Sequence, residues 1–296
     1  MKERAAQGGE PPAEPTPGKT STWDHSSHDH FYDYYAKESL SQKTVDNFRS
    51  IRDNILRILE KIEGRARRYD VADIGCEAGT QSLLWAELGH HVHGVDVKAP
   101  LVELARQRAA AAGYAIDFRV GSATDLPWDD ESIDVCLAAE LIEHIVEWRN
   151  FIEECARVLR PGGVLLLATS NKLWPLQKEF NLPLYSWHPA RLKRHFERLA
   201  MTTRPQLANY AKYPAVNWFT PYGLRRVLAQ SGFQCLDRFD LTNTAEKSPW
   251  ARSVISSIRA VPLLRWLANL CSPGIILLGV KRRASGDEAN NHTRTN

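Results

Sequence analysis

The sequence predicts an α/β protein built on a doubly wound, mostly parallel sheet of seven strands. Short apolar segments alternate with amphipathic helical segments along most of the 296 residues. Alternation of this kind is typical of parallel strands joined by helices that cover both faces of a sheet. The composition agrees, because 43% hydrophobic and 25% charged residues are ordinary for a globular protein.

The elements follow in a regular order. A helical segment comes first, because apolar residues from Ile51 to Ile62 recur at steps of three and four and Gly64 ends the pattern. Seven strands are then expected at Val71–Ile74, His91–Val95, Ile116–Val120, Ile133–Ala138, Val164–Ala168, Gln234–Phe239 and Ile275–Val280. Ligands of such sheets bind beyond the carboxyl ends of the strands, so the motifs at those ends are the functional candidates.

Composition divides the chain into six segments. The two ends are rich in proline, glycine or polar residues and are expected to be disordered. The segments are a tail at 1–30, a helical segment at 31–66, a cofactor-binding core at 67–170, a basic aromatic cap insertion at 171–220, the rest of the core at 221–283 and a tail at 284–296.

Cysteine usage and net charge exclude several classes of protein. The five cysteines are widely spread without a C-x-x-C pair, which favours reduced thiols in a cytosol over disulfides or a zinc site. No apolar segment of the signal-peptide type follows Met1, so no secretory signal is expected. A net charge of +3 is too small to indicate nucleic acid as a partner.

A small-residue loop, "GCEAG", follows the first predicted strand at residues 75–79. Gly75 and Gly79 permit a tight turn and close approach of the backbone to a ligand. The carboxylates of Asp73 and Glu77 would repel the pyrophosphate of a dinucleotide, whereas they attract the sulfonium and ammonium groups of S-adenosylmethionine. The alternative is that Asp73 only caps the turn and Glu77 only faces water.

Two further carboxylates follow later strands. Asp96, 21 residues after Gly75, can accept both ribose hydroxyls of an adenosine cofactor, NAD included. Asp125 can accept from an adenine amino group, with Leu126 and Trp128 offering apolar surface to the ring. Capping a turn is the alternative role of Asp125.

Four motifs resemble, in order and spacing, those of class I S-adenosylmethionine-dependent methyltransferases, and most of all the ubiquinone-biosynthesis O-methyltransferase branch. They are "VADIGCEAG", "VHGVD", "GSATDLPWDDESIDVCLAAELIEHI" and "ARVLRPGGVLLLATSN". The resemblance covers roughly residues 45–170 and implies a Rossmann-like sheet whose last strand is antiparallel. It also implies cofactor contacts at Gly75, Asp96, Asp125 and the backbone of Ala139. Glu77 departs from this branch, which usually has glycine there.

Catalytic candidates lie in "AAELIEHIVEW", directly after the fourth strand. If a helix begins there, Glu140, Glu143 and His144 share one face. His144, beside Glu143, could deprotonate a hydroxyl of the acceptor, since its ordinary pKa lies near physiological pH. Alternatively all three bind a divalent metal that holds a catecholate, or they only shape the pocket, because methyl transfer needs little beyond alignment.

The cap insertion is basic. Residues 171–219 hold eight Lys or Arg against two Glu, a net charge of +6, with three interleaved tryptophans. Such a segment can cover a small-molecule or lipid-linked acceptor and contact an anionic membrane, although a packed cap with a solvated basic rim is the alternative. The cations expected to bind anionic vesicles are Arg191, Lys193, Arg194 and Arg198. We therefore expect a cytoplasmic protein with peripheral contact at the inner membrane face, and no nucleic-acid partner.

A second basic stretch closes the chain. From Lys247 to Arg283 there are seven basic residues and no acidic one, and Val261–Val280 is mostly apolar. Pro262 and Arg265 favour an amphipathic helix followed by an edge-region strand over a membrane span.

The function that fits all motifs is S-adenosylmethionine-dependent methylation of an acceptor, with a hydroxyl as the expected target. Two other classes remain open: an NAD(P)-dependent oxidoreductase on a similar sheet, and a catalytically inactive methyltransferase-like scaffold at a membrane.

Overall fold

The structure, a computed structural model, describes residues 39–176, 180, 182–204, 207 and 215–283. Both tails, the start of the expected helical segment and parts of the cap lie outside the described residues. The strands are β1 Asp70–Ile74, β2 His91–Asp96, β3 Asp117–Val120, β4 Ile133–Ala139, β5 Leu159–Ser170, β6 Phe233–Asp237 and β7 Gly274–Lys281. The α-helices are α1 Gln42–Glu63, α2 Thr80–Ala86, α3 Ala99–Ala112, α4 Trp148–Val158, α5 Ala190–Thr202, α6 Pro221–Gln230, α7 Arg238–Leu241, α8 Pro249–Ala260 and α9 Pro262–Leu270.

The seven strands form one sheet in the order β3-β2-β1-β4-β5-β7-β6. The first five strands are parallel, and β7 runs antiparallel to both β5 and β6. The predicted fold class and the antiparallel last strand are therefore confirmed. The order reverses at β1, so the carboxyl ends of β1, β2 and β4 meet at the switch point where such sheets bind ligands.

Two expectations about the last strands were wrong. The edge strand at this end of the sheet is β6, because β7 lies between β5 and β6. The strand expected at Gln234–Phe239 ends at Asp237, which caps α7 by accepting from the backbone N–H of Phe239. A side-chain cap of this kind fixes the start of a helix, so the strand ends two residues earlier than the apolar pattern suggested.

The sheet separates two apolar layers. Successive residues of β4 pack alternately into the two layers, because successive side chains of a strand point to opposite faces of the sheet. Cys136 and Ala138 join the layer beneath α4 and α6, whereas Val135 and Leu137 join the layer beneath α1 and α2. All four are fully buried, as expected for a central parallel strand covered on both sides.

The first helix follows its predicted pattern. The side chain of Ser41 accepts from the backbone N–H of Thr44, and Gly64 ends the helix in the left-handed conformation at φ 74°. Ile55 and Leu59, one turn apart, are buried in the layer beneath α1. The predicted stop at Gly64 is thus confirmed.

The region beyond β6 is a helical hairpin, α8 and α9, that returns the chain to the sheet. Where one amphipathic helix was expected there are two, with Pro262 in the first turn of the second. In the described part of the chain no helix has the length and apolar character needed to cross a bilayer.

Candidate functional site

The loop after β1 is tied to the end of β2. The backbone N–H groups of Gly75 and Cys76 both donate to the carbonyl oxygen of Val95, at 2.8 and 3.1 Å. Gly79 starts α2 with φ 77°, and a Cβ there would lie only 2.9 Å from Cβ of Ala105. The second glycine of the motif therefore serves both a left-handed turn and close packing against α3.

Glu77 occupies a conformation that the sequence did not reveal. Its φ is 48°, in the left-handed region that L residues with a Cβ rarely adopt. This explains why a glycine is the usual residue here in the branch that the motifs resemble. Glu77 must therefore adopt the left-handed backbone conformation of this tight turn.

The same residue holds the carboxylate at the end of β2. The backbone N–H of Glu77 donates to Oδ2 of Asp96 at 3.0 Å, and that of Lys98 donates to Oδ1 at 2.9 Å. A carboxylate has about four acceptor positions, so two backbone bonds orient Asp96 and leave capacity for two hydroxyl donors. Asp96 is thus held in one orientation at the carboxyl end of β2.

Negative charge converges on this loop. Asp73 is fully buried and accepts from Oγ of Ser82 at 2.6 Å and from Nε2 of Gln81 at 3.3 Å. Burial, with a smaller contribution from Asp96, raises the pKa of Asp73 to about 6 despite these bonds. Burial and the carboxylates of Asp73, Asp96 and Glu77 likewise raise the pKa of the Cys76 thiol. The ammonium of Lys98 lies near Asp96 and Glu77 and offsets part of this negative charge.

The residues after β3, Asp125 to Trp128, are not placed as the sequence predicted. Asp125 is exposed, and its backbone N–H donates to the carbonyl oxygen of Ser122. Leu126 and Trp128, expected to offer surface to an adenine ring, are buried in the layer beneath α4. That expectation was wrong, because the two side chains anchor the segment between β3 and β4 to the core.

The segment after β4 does not form the expected α-helix. Glu140 ends the strand with φ 51° beyond the half-buried Ala139, and the next turn is a 3₁₀ helix at Ile142–His144. Glu143 is buried, whereas Glu140 and His144 are exposed. The argument that Glu140, Glu143 and His144 share an α-helical face therefore fails.

Part of the cap covers this turn. The backbone N–H groups of Val216 and Asn217 donate to the carbonyl oxygen of Glu143 at 2.9 and 3.0 Å, and Nδ2 of Asn217 donates to that of Ile142. Sequence reasoning missed Asn217, since an asparagine before an aromatic pair carries no motif. The cap thereby closes over the residues that follow β4.

A cavity of about 290 Å³ lies between the cap and α6. Its walls include Trp148, Lys172, Trp218 and Phe219, and the rings of Trp148 and Phe219 meet edge to face at 5.3 Å. Lys172 follows the carboxyl end of β5, where residues 171 and 219 form an isolated bridge. The cavity is thus an aromatic recess with Lys172 in its described wall, next to the carboxyl end of β5.

The described residues do not provide a metal site. No group of three or more His, Cys, Asp or Glu side chains in the ranges that the structure covers is placed to hold an ion. The metal alternative for Glu140, Glu143 and His144 has no support from their placement.

Comparison with known proteins agrees with this geometry. A family model described as "Methyltransferase domain" matches residues 72–167, the stretch from β1 to β5. The chain contains a methyltransferase domain. The resemblance inferred from the four motifs is thereby confirmed, and the loop at Gly75–Gly79 and Asp96 both lie within the matched range of this domain.

Two curated relatives show how far the similarity extends. The ubiquinone biosynthesis O-methyltransferase of Chelativorans sp. is 36% identical over 125 residues, 41% of this chain and 49% of that protein. A probable S-adenosylmethionine-dependent methyltransferase of Mycolicibacterium smegmatis is 27% identical over 204 residues, 69% of this chain and 76% of that protein. The chain spans about half the length of the ubiquinone-biosynthesis relatives that it matches.

A solved structure shares the fold. The PH0226 protein of Pyrococcus horikoshii superposes with a TM-score of 0.55 at 18% identity, over 86% of this chain and all of that chain. At this identity the likeness concerns the fold of the methyltransferase domain and its flanking helices.

Proposed function

We propose that this protein transfers a methyl group from S-adenosylmethionine to a hydroxyl oxygen of a small-molecule or lipid-linked acceptor. The observation that carries the proposal is the convergence of Asp73, Glu77 and Asp96 on one loop of the methyltransferase domain. These three carboxylates, with Lys98 beside two of them offsetting part of their charge, favour a cofactor that carries a sulfonium and an ammonium over one that carries a pyrophosphate. An oxidoreductase that uses NAD(P) is disfavoured for the same reason.

The residues of the loop fit this cofactor. Asp96, oriented by two backbone N–H groups, would accept the ribose hydroxyls, and the backbone at Gly75 and Ala139 would line the cleft. Glu77, Gly79 and Asp73 would supply the turn and the negative potential around the sulfonium. Asp125, exposed next to this edge of the sheet, would accept from the adenine amino group.

Bound S-adenosylmethionine supplies an electrophilic methyl group on sulfur. The chain itself must align the acceptor, keep water from the cleft and take the hydroxyl proton. His144 is the proposed proton acceptor, because it is exposed on the turn directly after β4 while Glu143 is buried behind it. Glu143 is proposed to position this turn beneath the cap, and no metal is invoked.

The acceptor class rests on two observations. Relatives named as ubiquinone biosynthesis O-methyltransferases suggest an oxygen acceptor, and the recess of Trp148, Trp218 and Phe219 suits an apolar ring or chain. Such an acceptor partitions into a bilayer, so we propose peripheral contact of a cytoplasmic protein with an anionic membrane face.

Methyl transfer from labelled S-adenosylmethionine tests the proposal. The purified protein is incubated with the lipid and the aqueous fraction of a cell extract, with Asp96→Ala as the control. We expect label in a product of the lipid fraction, held in an ether bond, and loss of transfer in the control. Label on nitrogen would contradict the hydroxyl acceptor, and absence of transfer to either fraction would contradict the activity.

A further inference from the structure

The helical hairpin of α8 and α9, residues 249–270, presents an apolar face to solvent. In α8 none of the twelve residues is buried, and Trp250 is 77% exposed. In α9, Leu263 is 64% and Trp266 is 45% exposed. Monomeric proteins rarely leave contiguous apolar surface of this kind without a partner.

Helix α9 has its polar face towards the protein and its apolar face towards solvent, the reverse of a surface helix in an ordinary globular protein. Its polar residues Arg265 and Asn269, one turn apart, face inward, where both donate to Oδ2 of Asp237. Arg265 also pairs with Asp240. The residues at Leu263, Trp266, Leu267 and Leu270 follow the i, i+3, i+4, i+7 spacing of one face, and the first three are exposed. The apolar face of this helix is therefore the outer one.

The charge of the hairpin identifies the surface that would cover this face. No acidic residue occurs between Lys247 and Arg283. Arg252 and Arg259 donate only to backbone carbonyl oxygens in the hydrogen bonds found among the described residues, so their charges are not neutralised by a carboxylate there. Tryptophan and leucine beside such cations are the composition of helices that lie in the interface of an anionic bilayer.

We infer that the α8–α9 hairpin docks this protein on an anionic lipid surface, with Trp250, Leu263, Trp266 and Leu267 inserted at the headgroup level. A second copy of the chain is a poorer partner, because a second hairpin would offer Arg252 and Arg259 no acidic residue with which to pair. This inference names the surface behind the membrane contact of the proposed function and in that respect rests on it.

The hairpin ends beside the candidate active site. Nδ2 of Asn171, the first residue after β5, donates to the carbonyl oxygens of Asn269, Leu270 and Ser272 at 2.8–3.3 Å. The aromatic recess begins at the next residue, Lys172. A docked hairpin would thus place the recess close to the lipid from which an amphipathic acceptor comes.

The cap cations expected to bind vesicles are a separate surface. Lys193 is not available for this role, because its Nζ donates to the carbonyl oxygen of Ser186 and lies 4.6 Å from the ring of Trp218. Arg191, Arg194 and Arg198 are exposed on α5. Their neutralisation distinguishes binding by charge on the cap from binding through the hairpin.

Sedimentation with vesicles tests the inference on the full chain. The vesicles are phosphatidylcholine alone or with phosphatidylglycerol, at low salt. The hairpin variant carries Leu263→Ser, Trp266→Ser and Leu267→Ser, the apolar control carries Leu40→Ser and Leu88→Ser at residues 52% and 47% exposed, and the charge control carries Arg191→Gln, Arg194→Gln and Arg198→Gln. All substituted side chains are exposed, so each variant should fold.

We expect the wild type and the apolar control to bind anionic vesicles, and the hairpin variant to bind at least tenfold more weakly. In contrast to the expectation from the sequence, the charge control should keep most of the binding, and a charge control that loses the binding would assign it to the cap and overturn the inference. A wild type that stays in the supernatant, or a hairpin variant that binds as the wild type does, overturns the inference. Dimers in light scattering that only the hairpin variant loses, without vesicle binding, would assign the face to a second copy and also overturn it. Calorimetry with S-adenosylmethionine, which needs no lipid, shows separately whether the proposed function holds.

Discussion

The backbone N–H of Glu77 donates to a carboxylate oxygen of Asp96 at 3.0 Å, which locks the loop after β1 to the end of β2. Glu77 makes this bond with its backbone in the left-handed region, at φ 48°. A side chain with a Cβ is disfavoured there by about 1–2 kcal/mol. Glu77, whose carboxylate we propose to favour a sulfonium cofactor, thus has a strained backbone conformation.

Glu77→Gly should raise stability and weaken cofactor binding at once. Glycine removes the left-handed strain, partly offset by its greater freedom in the unfolded chain, so we expect a gain of about 1 kcal/mol or less. Glu77→Gln, which keeps the Cβ, should show the weaker binding without the gain. Urea denaturation and calorimetry measure the two effects.

Glu131 is the matched control for this prediction. It is exposed with φ 52°, and its carboxylate pairs with Lys281 away from the loop. Glu131→Gly should relieve similar strain and leave cofactor affinity unchanged. If Glu77→Gly and Glu77→Gln bound the cofactor as tightly as Glu131→Gly does, a role for the charge of Glu77 would be refuted.

Asp73→Asn should alter how stability depends on pH. Burial raises the pKa of Asp73 from 3.8 to about 6, so the folded protein holds this proton between about pH 4 and pH 6 while the unfolded chain releases it. Stability is therefore lost as pH rises through this window. Asparagine does not titrate. We therefore expect the unfolding free energy of the variant to rise relative to that of the wild type as pH rises, by up to about 3 kcal/mol at pH 7.

Urea denaturation from pH 4 to pH 7, across the window between the two pKa values, measures this difference. Equal slopes of unfolding free energy against pH in the two proteins would show that Asp73 ionises normally. In the wild type, affinity for S-adenosylmethionine should also fall below about pH 6, because a protonated Asp73 no longer contributes negative potential.

His144→Ala should slow methyl transfer by about a hundredfold if the imidazole takes the hydroxyl proton. A chelator should have no effect, since the described carboxylates and imidazoles do not form an ion site. Glu140→Gln, at an exposed neighbour, is the control and should keep full activity. Loss of activity with chelator and its return with magnesium would restore the metal alternative, whereas full activity of His144→Ala would leave the turn with a shaping role only.

Periodicity and glycine placement predicted the strands, because burial on both faces leaves a continuous apolar run that the sequence displays. The position of β7 inside the sheet was not predictable from its residues. The apolar residues of Ile275–Val280 are compatible with either an edge or an inner position. The strand lies between β5 and β6, and Asn269 of α9, just before it, donates to Asp237 at the end of β6.

The site was predicted where a residue's chemistry follows from its place at a strand end, as for Asp96. The site was not predicted where the backbone conformation determines the positions of the side chains. Spacing alone placed Glu140, Glu143 and His144 on one face, but the positive φ of Glu140 and a 3₁₀ turn separate them. Leu126 and Trp128 were expected to contact an adenine ring, because a sequence shows that a side chain is apolar but does not show what it packs against.

Isothermal calorimetry with S-adenosylmethionine, its demethylated product and NAD tests the central claim most directly. The wild type should bind the first two and not NAD. Asp96→Ala removes two hydrogen bonds to a charged group, worth about 1.5–3 kcal/mol each, so affinity should fall about a hundredfold or more. Asp117→Ala, at the opposite end of the parallel strands, should bind as the wild type does. Unchanged affinity in Asp96→Ala, or binding of NAD by the wild type, would contradict the account.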